Sequence, residues 1–454
     1  MRGFSQYLRL GYPFLKFLKN PTRKGGDFMK KIDFLSTLFV GIDVSSSSNV
    51  VCAIDFNSTK HLQFSVSNNH IGANKMAETL LSFLCKNKFS NMIIALESTS
   101  FYSIHIANFL SSDEKLLAFN PYVYCLNPKM IANYRKSFIG MSKTDPLDAF
   151  IIADFARVGR ITTQPWRGSQ FLALQRLTRH RLHLVDSLTR EKTYMVSNIF
   201  LKFSEFSVLK DDEHPFCSNY GATASAVLTE FLSTEDIVNM PIEELVDFLC
   251  LKGKNRFDNP LHTAALLQEA ARNSYRLDKC LYEPLSISIA SSFNCIKAYE
   301  AEIKAINVAI EKTIKGVNPT EYQSLLSIPG IGPVYASGIL AEIGSISAFT
   351  SQDALAKYAG LVWTQHQSGN YNADDTQMSK AGNRYLRYYL IEAANSVKNN
   401  ISEYKAFYRK KYDEVKTHQH KRALALTSRK LIRLIFGLLD NNQLYSAKKV
   451  DRIE

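Results

Sequence analysis

The chain has 454 residues, 46% of them hydrophobic and 21% charged, the composition of an ordinary globular protein with room for two to four domains and a substantial core. Its formal net charge of +13 suits a polyanionic partner, most simply nucleic acid; an anionic membrane surface would also suit it, but no apolar run is long enough to span a bilayer. Seven cysteines are scattered without a Cys-x-x-Cys pair, which excludes a zinc ribbon and points to a reducing cytosol, most of them serving as small core residues.

Residues 1–35 read as an N-terminal extension. Tyr12 to Leu18 is apolar and basic, as in a weak signal peptide, but it is short and no small-residue cleavage site follows. Met29-Lys30-Lys31-Ile32 reads as a natural start, so translation is expected to begin at Met29. Leu38 to Val44 is a buried strand ending near an acid, Asp43. Ser45 to Asn49 is a turn, Val50 to Ile54 the return strand of a hairpin, and Leu62 to Val66 a third strand. Asn74 to Cys85 has helical spacing, Met92 to Leu96 is a buried strand capped by Glu97, Tyr102 to Leu110 is helical, and Tyr122 to Leu126 is a strand. A three-strand meander followed by alternating helix and strand suggests an α/β domain of the RNase H type. Sites in open α/β sheets form at the carboxyl ends of strands, where Asp43 and Glu97 would lie.

Ser142-Lys143-Thr144-Asp145-Pro146-Leu147-Asp148-Ala149 reads as a helix start. Asp145 is the expected N-cap, Pro146 suits the first helical position, and Asp148 falls at N3. The helix should stop near Gly159. Residues at i and i+3 share a face, so both carboxylates point one way. With Asp43 and Glu97 they would suit divalent metal and phosphodiester chemistry. The plainer reading is that Asp145 and Asp148 only cap helix N–H groups.

From Phe171 to about Leu201 the pattern is long and helical, with Leu174, Leu177, Leu184, Leu188, Met195 and Ile199 near heptad spacing. Arg176, Arg179, Arg181, Arg190 and Lys192 are interleaved. They make either a basic helix along nucleic acid or a solvated face on a packing helix. Residues 205–260 hold turns and short amphipathic pieces. Thr263 to Lys315 is again helical, so a coiled-coil or helical-bundle middle domain is expected.

Ile328-Pro329-Gly330-Ile331-Gly332-Pro333 between apolar helices is the signature of a helix–hairpin–helix. Gly330 and Gly332 would let backbone N–H groups approach a phosphate, although a plain tight turn has the same pattern. Then come Tyr358 to Asn370, containing Gln367-Ser368-Gly369, and Met378 to Arg387, containing Ser379-Lys380-Ala381-Gly382-Asn383-Arg384. The second stretch reads as a basic loop entering a helix, with Lys380, Arg384 and Arg387 able to hold phosphate oxygens. Ser379 and Ser351 are read as helix N-caps.

These motifs together resemble the transposases of the insertion-sequence-110 family, the DEDD recombinases regarded as guided by a bridge RNA. The resemblance covers about residues 36–160 and 320–400. It departs at Ala381, where members often carry Arg, and at Asp374-Asp375, in a loop that is often more basic. The resemblance implies a RuvC-type domain at 36–165, a helical or coiled-coil domain at 166–318, a mainly α C-terminal transposase domain at 319–440 and a tail. It implies that Asp43, Glu97, Asp145 and Asp148 bind Mg²⁺ and that Ser368 is the nucleophile, some 220 residues beyond Asp148. Expected partners are donor and target double-stranded DNA, a structured guide RNA and further copies of the chain as a dimer or tetramer. No membrane is expected, and the setting is a prokaryotic cytoplasm at the nucleoid. Two rival readings remain: a metal-dependent junction nuclease using water, which would leave Ser368 dispensable, and a non-catalytic nucleic-acid-binding protein.

Overall fold

The computed structural model describes residues 33–98, 101–138, 140, 144–159, 161, 165–209, 214–363, 367–368, 371–372 and 377–447; the expected start at Met29 lies outside them. The chain divides into two compact units, one formed by residues up to Ala173 together with those from Val317 onward, the other by Leu174–Gly316.

The first unit begins with a mixed five-stranded sheet. Its strands are β1 (Thr37–Val44), β2 (Ser48–Ile54), β3 (Lys60–Ser67), β4 (Asn91–Glu97) and β5 (Pro121–Leu126), in the order β3-β2-β1-β4-β5. β1 to β3 form an antiparallel meander, and β4 and β5 run parallel to β1. Helix α1 (His70–Lys86) links β3 to β4, and α2 (Tyr102–Ser112) links β4 to β5. β1 reads as a continuous apolar run because both of its faces are covered. Leu38, Val40 and Ile42 pack with Met76 and Leu80 of α1 and Ile106 and Leu110 of α2. Phe39 faces the other way, toward Ile152 and Ala153 of a later helix. Period-two alternation along the strand produces this split.

After β5 come α3 (Pro128–Arg135) and α4 (Asp145–Arg157). α4 starts one residue earlier than its capping pattern suggests. Thr144 is the N-cap, in extended conformation, and its carbonyl accepts from Asp148 N–H at 2.9 Å. Asp145 is therefore already helical. The helix ends as expected, with Gly159 following at a φ of 71°, a left-handed conformation that favours glycine.

The C-terminal part of this unit is helical apart from one small ribbon. It contains α11 (Pro319–Leu326), α12 (Pro333–Ile343), α13 (Gln352–Ala359), β6 (Gln367–Ser368), β7 (Tyr371–Asn372), α14 (Arg384–Asn400), α15 (Ser402–Asp413) and α16 (Gln419–Asp440). Ser351 caps α13 by accepting from Ala354 N–H at 3.2 Å. Ser379 is not the cap of α14; Asn383 is, accepting from Tyr385 and Leu386 N–H at 3.0 and 3.1 Å. Ser379 instead closes a local turn onto Ala381 N–H.

The second unit is helical. α5 (Ser169–Lys202) contributes its residues from Leu174, followed by α6 (Ala222–Glu230), α7 (Thr234–Asn239), α8 (Ile242–Gly253), α9 (Pro260–Asn273) and α10 (Lys279–Val317), the last up to Gly316. α5 and α10 run antiparallel, since Arg181 bonds Asn307 and Lys192 bonds Glu300. The stretch from Thr263 to Lys315, read as helical, is two helices with a break between them. The break is stabilised by Arg276, whose Nη1 donates to the carbonyls of Ala271 and Ser274 at 2.8 Å each and so satisfies groups at the end of α9. Lys202 is buried and donates to Leu228 O, Phe231 O and Ser286 Oγ at 2.7 to 2.8 Å.

Candidate active site

β1 and β4 pair with Gly41 opposite Ala95 and Ile42 opposite Leu96, so the next position sets Asp43 beside Glu97 at the carboxyl ends of neighbouring strands. Phe39, Ile93 and Ala95 pack against α4, and alternation turns Asp43 and Glu97 toward that same face. Both carboxylates are half-buried. Gly41 sets how close α4 lies. A Cβ there would fall 2.1 Å from Ala149 O and 2.3 Å from Ala153 N. Only glycine lets strand and helix backbones meet so closely.

Asp145 and Asp148 lie in the first turns of α4, where the helix dipole favours negative charge. Among the described residues no helix N–H donates to either carboxylate, so they do not act as side-chain caps. Asp145 is exposed, and Asp148 forms an ion pair with Arg135 at the end of α3. Among the described residues no three His, Cys, Asp or Glu side chains close into a group that could hold a metal ion. Asp43 and Glu97 are brought together, whereas Asp148 is turned to Arg135.

The two hairpin glycines do different work. Gly330 has a φ of 98°, and a Cβ on it would press to 2.9 Å from Val397 backbone atoms, so it allows close packing on α14. Gly332 is the N-cap of α12 and faces open space, which leaves that helix start accessible.

The loop carrying Ser368 is closed at its base. Trp363 bridges Met378, Ser379 N–H donates to Val362 O at 2.8 Å, and Asn383 N–H donates to Tyr358 O at 2.7 Å. Ser368 pairs with Tyr371 through the backbone of the β6–β7 ribbon; its side chain lies outside the description. Arg387 turns Nη1 to the carbonyls of Ala359 and Lys380 at 3.1 and 3.0 Å, and burial lowers its pKa. It therefore holds the loop base. Arg384 is exposed, with its guanidinium over the Tyr385 ring, and Lys380 is exposed at a φ of 49°. In the second unit Arg181 bonds Asn307, Arg190 bonds Ser187, and Arg176 and Arg179 also have partners.

Residues 40–201 match the DEDD transposase family of IS110, and residues 322–409 match the transposase family IS116/IS110/IS902. The two matches fall in this order, cover more than half of the chain and include both constellations. The chain belongs to the IS110 family of transposases. It is thus a DNA transposase or recombinase by family. It is 28% identical over 312 residues to the insertion element IS900 uncharacterized 42 kDa protein of Mycobacterium paratuberculosis, covering 68% of this chain and 74% of that protein. It is 28% identical over 200 residues to the transposase for insertion sequence element IS1111A of Coxiella burnetii, covering 39% of this chain and 52% of that protein. A pilin gene-inverting protein of Moraxella lacunata is 29% identical over 192 residues, 41% of this chain and 59% of that protein.

In this IS110 transposase three supporting groups escape sequence reading. Arg135 is one. Asn68 is another: its Nδ2 donates to Ser45 O at 2.8 Å and Tyr102 O at 3.3 Å, tying the turn after Asp43 to the start of α2. At the end of a strand it reads only as a turn residue. The third is Glu342, fully buried in α12, which accepts from Asn383 Nδ2 at 2.7 Å. A lone Glu in an apolar helix was the available signal, since such a group needs a partner.

Proposed function

We propose that this transposase cuts and rejoins DNA strands between a donor and a target site, using Asp43, Glu97, Asp145 and Asp148 to hold Mg²⁺ and Ser368 as nucleophile. What carries the reading is the placement of Asp43 and Glu97 side by side at strand ends, facing the helix whose first turns bear Asp145 and Asp148. The sheet order and directions also agree with an RNase H-like, RuvC-type domain. Four carboxylates are hard oxygen donors of the kind Mg²⁺ takes. Asp148 meets Arg135 through one oxygen, so Mg²⁺ and the guanidinium compete for its charge. Held by these carboxylates, Mg²⁺ would supply Lewis-acid stabilisation of charge at the scissile phosphate and its leaving oxygen.

Ser368 Oγ attacks phosphorus and gives up its proton as the P–O bond to the leaving strand breaks. The leaving oxygen takes up a proton. A hydroxyl of the other strand then reverses the step, releasing the serine. The phosphodiester bond energy is kept in the phosphoserine, so no ATP is needed. Similarity to a pilin gene-inverting protein favours rejoining over hydrolysis. Asn68 orients the turn after Asp43, and Arg387 and Asn383 hold the base of the Ser368 loop. Site choice is assigned to base pairing with a structured guide RNA, as in the bridge-RNA-guided transposases that the sequence resembles. The chain is expected to act as a dimer or tetramer.

The deciding experiment is strand cleavage with Mg²⁺, with and without EDTA, resolved on denaturing gels for a protein–DNA adduct. The adduct should form in the native chain and vanish in Ser368→Ala, which still binds DNA. An adduct that persists in Ser368→Ala, or EDTA-insensitive cleavage, refutes the assignment. Sequencing the RNA that copurifies tests the guide; efficient site-specific recombination by RNA-free protein excludes it.

A further inference from the structure

The family match ends at Arg409, but positive charge does not. Between Ser402 and Asp440 stand ten Lys or Arg against four acids, a surplus of six and nearly half of the net +13. This stretch is the hairpin of α15 and α16. Part of its charge is internal. Lys430 pairs with Glu403 at 2.7 Å and lies over the rings of Tyr404 and Phe407 at 5.0 and 4.8 Å. Arg422 and Lys411 both take Glu414, at 3.1 and 2.6 Å, and Arg429 takes Asp353. These contacts, with buried Leu424, Leu431, Ile432 and Ile435, fix the two helices against each other.

Lys405, Arg409, Lys410, Lys416, Lys421 and Arg433 remain. All six are exposed, and among the described residues none has a carboxylate within 4.0 Å. Lys405 and Arg409 stand one helical turn apart, where like charges repel. Six unneutralised cations on one rigid hairpin carry a self-repulsion that a polyanion relieves. The contrast with α5 is direct, because there Arg181 and Lys192 are consumed by Asn307 and Glu300 of α10.

We infer that the α15–α16 hairpin grips the phosphate backbone of duplex DNA without reading its sequence. Twelve residues make α15 about 18 Å long, and a duplex carries one charge per about 1.7 Å, so roughly ten phosphates run alongside it. Four of the six cations are lysines, compact point charges suited to backbone contact rather than to forked recognition of a base. The inference needs neither the carboxylate tetrad nor Ser368.

The test is binding of the full chain to a fluorescent duplex of arbitrary sequence, titrated with salt. Arg409→Gln, Lys410→Gln, Lys416→Gln and Lys421→Gln combined should lower the slope of log affinity against log salt by about 2–4, from roughly 0.9 per phosphate contact, and weaken low-salt binding about 30-fold or more. A control loses the same charge elsewhere, with Lys86, Lys88, Lys297 and Lys304 changed to Gln; it should keep its slope within about 1. Should the fourfold variant melt early, Lys421→Gln alone should still lower the slope by about 0.9. Equal losses in variant and control overturn the inference, since net charge would explain both. An unchanged slope in the hairpin variant overturns it too, as does loss of structured-RNA affinity with duplex DNA affinity intact.

Discussion

Gly41→Ala tests whether the closeness of α4 to β1 sets the geometry of the carboxylates. The added Cβ would stand 2.1 Å from Ala149 O, against an ordinary contact of 3.4 Å or more. Helix and strand must therefore part by about 1.3 Å, and both obstacles are backbone, which no rotamer change can move aside. Overpacking of this kind costs about 1–3 kcal/mol, to be read from urea unfolding of the α/β domain signal. The functional cost should be larger. Asp145 and Asp148 ride on α4 and Asp43 rides on β1, so the carboxylates move apart by about the same amount. A misplacement of about 1 Å costs roughly 100-fold in rate. Recombination of a plasmid carrying donor and target sites should fall by about that factor at a temperature where the variant is still folded. Gly316→Ala is the matched control, because Gly316 is exposed and has nothing within 4 Å of its Cβ position. If Gly41→Ala unfolds within about 0.5 kcal/mol of the native chain and recombines within about two-fold of it, the close approach is not what positions the site.

Replacing Asp43, Glu97, Asp145 or Asp148 singly by Ala should abolish recombination while leaving melting nearly unchanged, and near-normal activity in both Asp43→Ala and Asp145→Ala would remove the tetrad. Arg135→Ala should lower the half-saturating Mg²⁺ concentration by about five-fold, because the ion no longer competes with an ion pair worth about 1 kcal/mol; an unchanged concentration refutes that competition. Asn383→Asp should destabilise the C-terminal helices by about 1–3 kcal/mol, setting a carboxylate against buried Glu342, and adding Glu342→Gln should recover most of the loss in thermal melts. Burial lowers the Lys202 pKa from 10.5 to about 8. Below pH 8 both folded and unfolded states hold the proton; between about 8 and 10.5 only the unfolded state does, so stability should rise with pH across that window, by on the order of 3 kcal/mol at most. Lys202→Met should lack this rise, and a parallel pH profile in both proteins would show that Lys202 does not titrate there.

The strands and long helices were legible because burial leaves periodic marks. β1 shows a continuous apolar run since helices cover both faces, and α1 repeats Met76, Leu80 and Leu84 at helical spacing. Asp43 and Glu97 were legible for a related reason: each ends a buried strand, so chain direction alone sends them to one edge of a parallel pair. The capping residues were read less well. Asp145 and Ser379 have the right side chains for an N-cap, but the backbone turns helical after Thr144 in one case and after Asn383 in the other. A cap depends on where φ and ψ change, and several neighbouring polar residues compete for that position. The break at Ser274–Asp278 was missed because its stabilisation comes from Arg276, a residue equally at home in a helix.

Pairings of side chains with distant parts of the chain left no mark of their own. Asn383 meets Glu342 across 41 residues, Asn68 meets Tyr102 across 34, and Arg181 meets Asn307 across 126. Arg181 in particular reads as available to nucleic acid until the fold supplies Asn307 as its partner. This changes how the positive charge should be read. A cation in the sequence counts toward nucleic acid only if the fold leaves it without an internal acceptor. By that measure Arg387 and Arg181, which the motifs favoured, serve the protein's own carbonyl and amide oxygens. Lys405, Arg409, Lys410, Lys416, Lys421 and Arg433, which no motif marked, keep their charge for a partner. The α15–α16 hairpin is therefore where electrostatic affinity for DNA should concentrate, while the two carboxylates at the ends of β1 and β4 mark where the chemistry should occur.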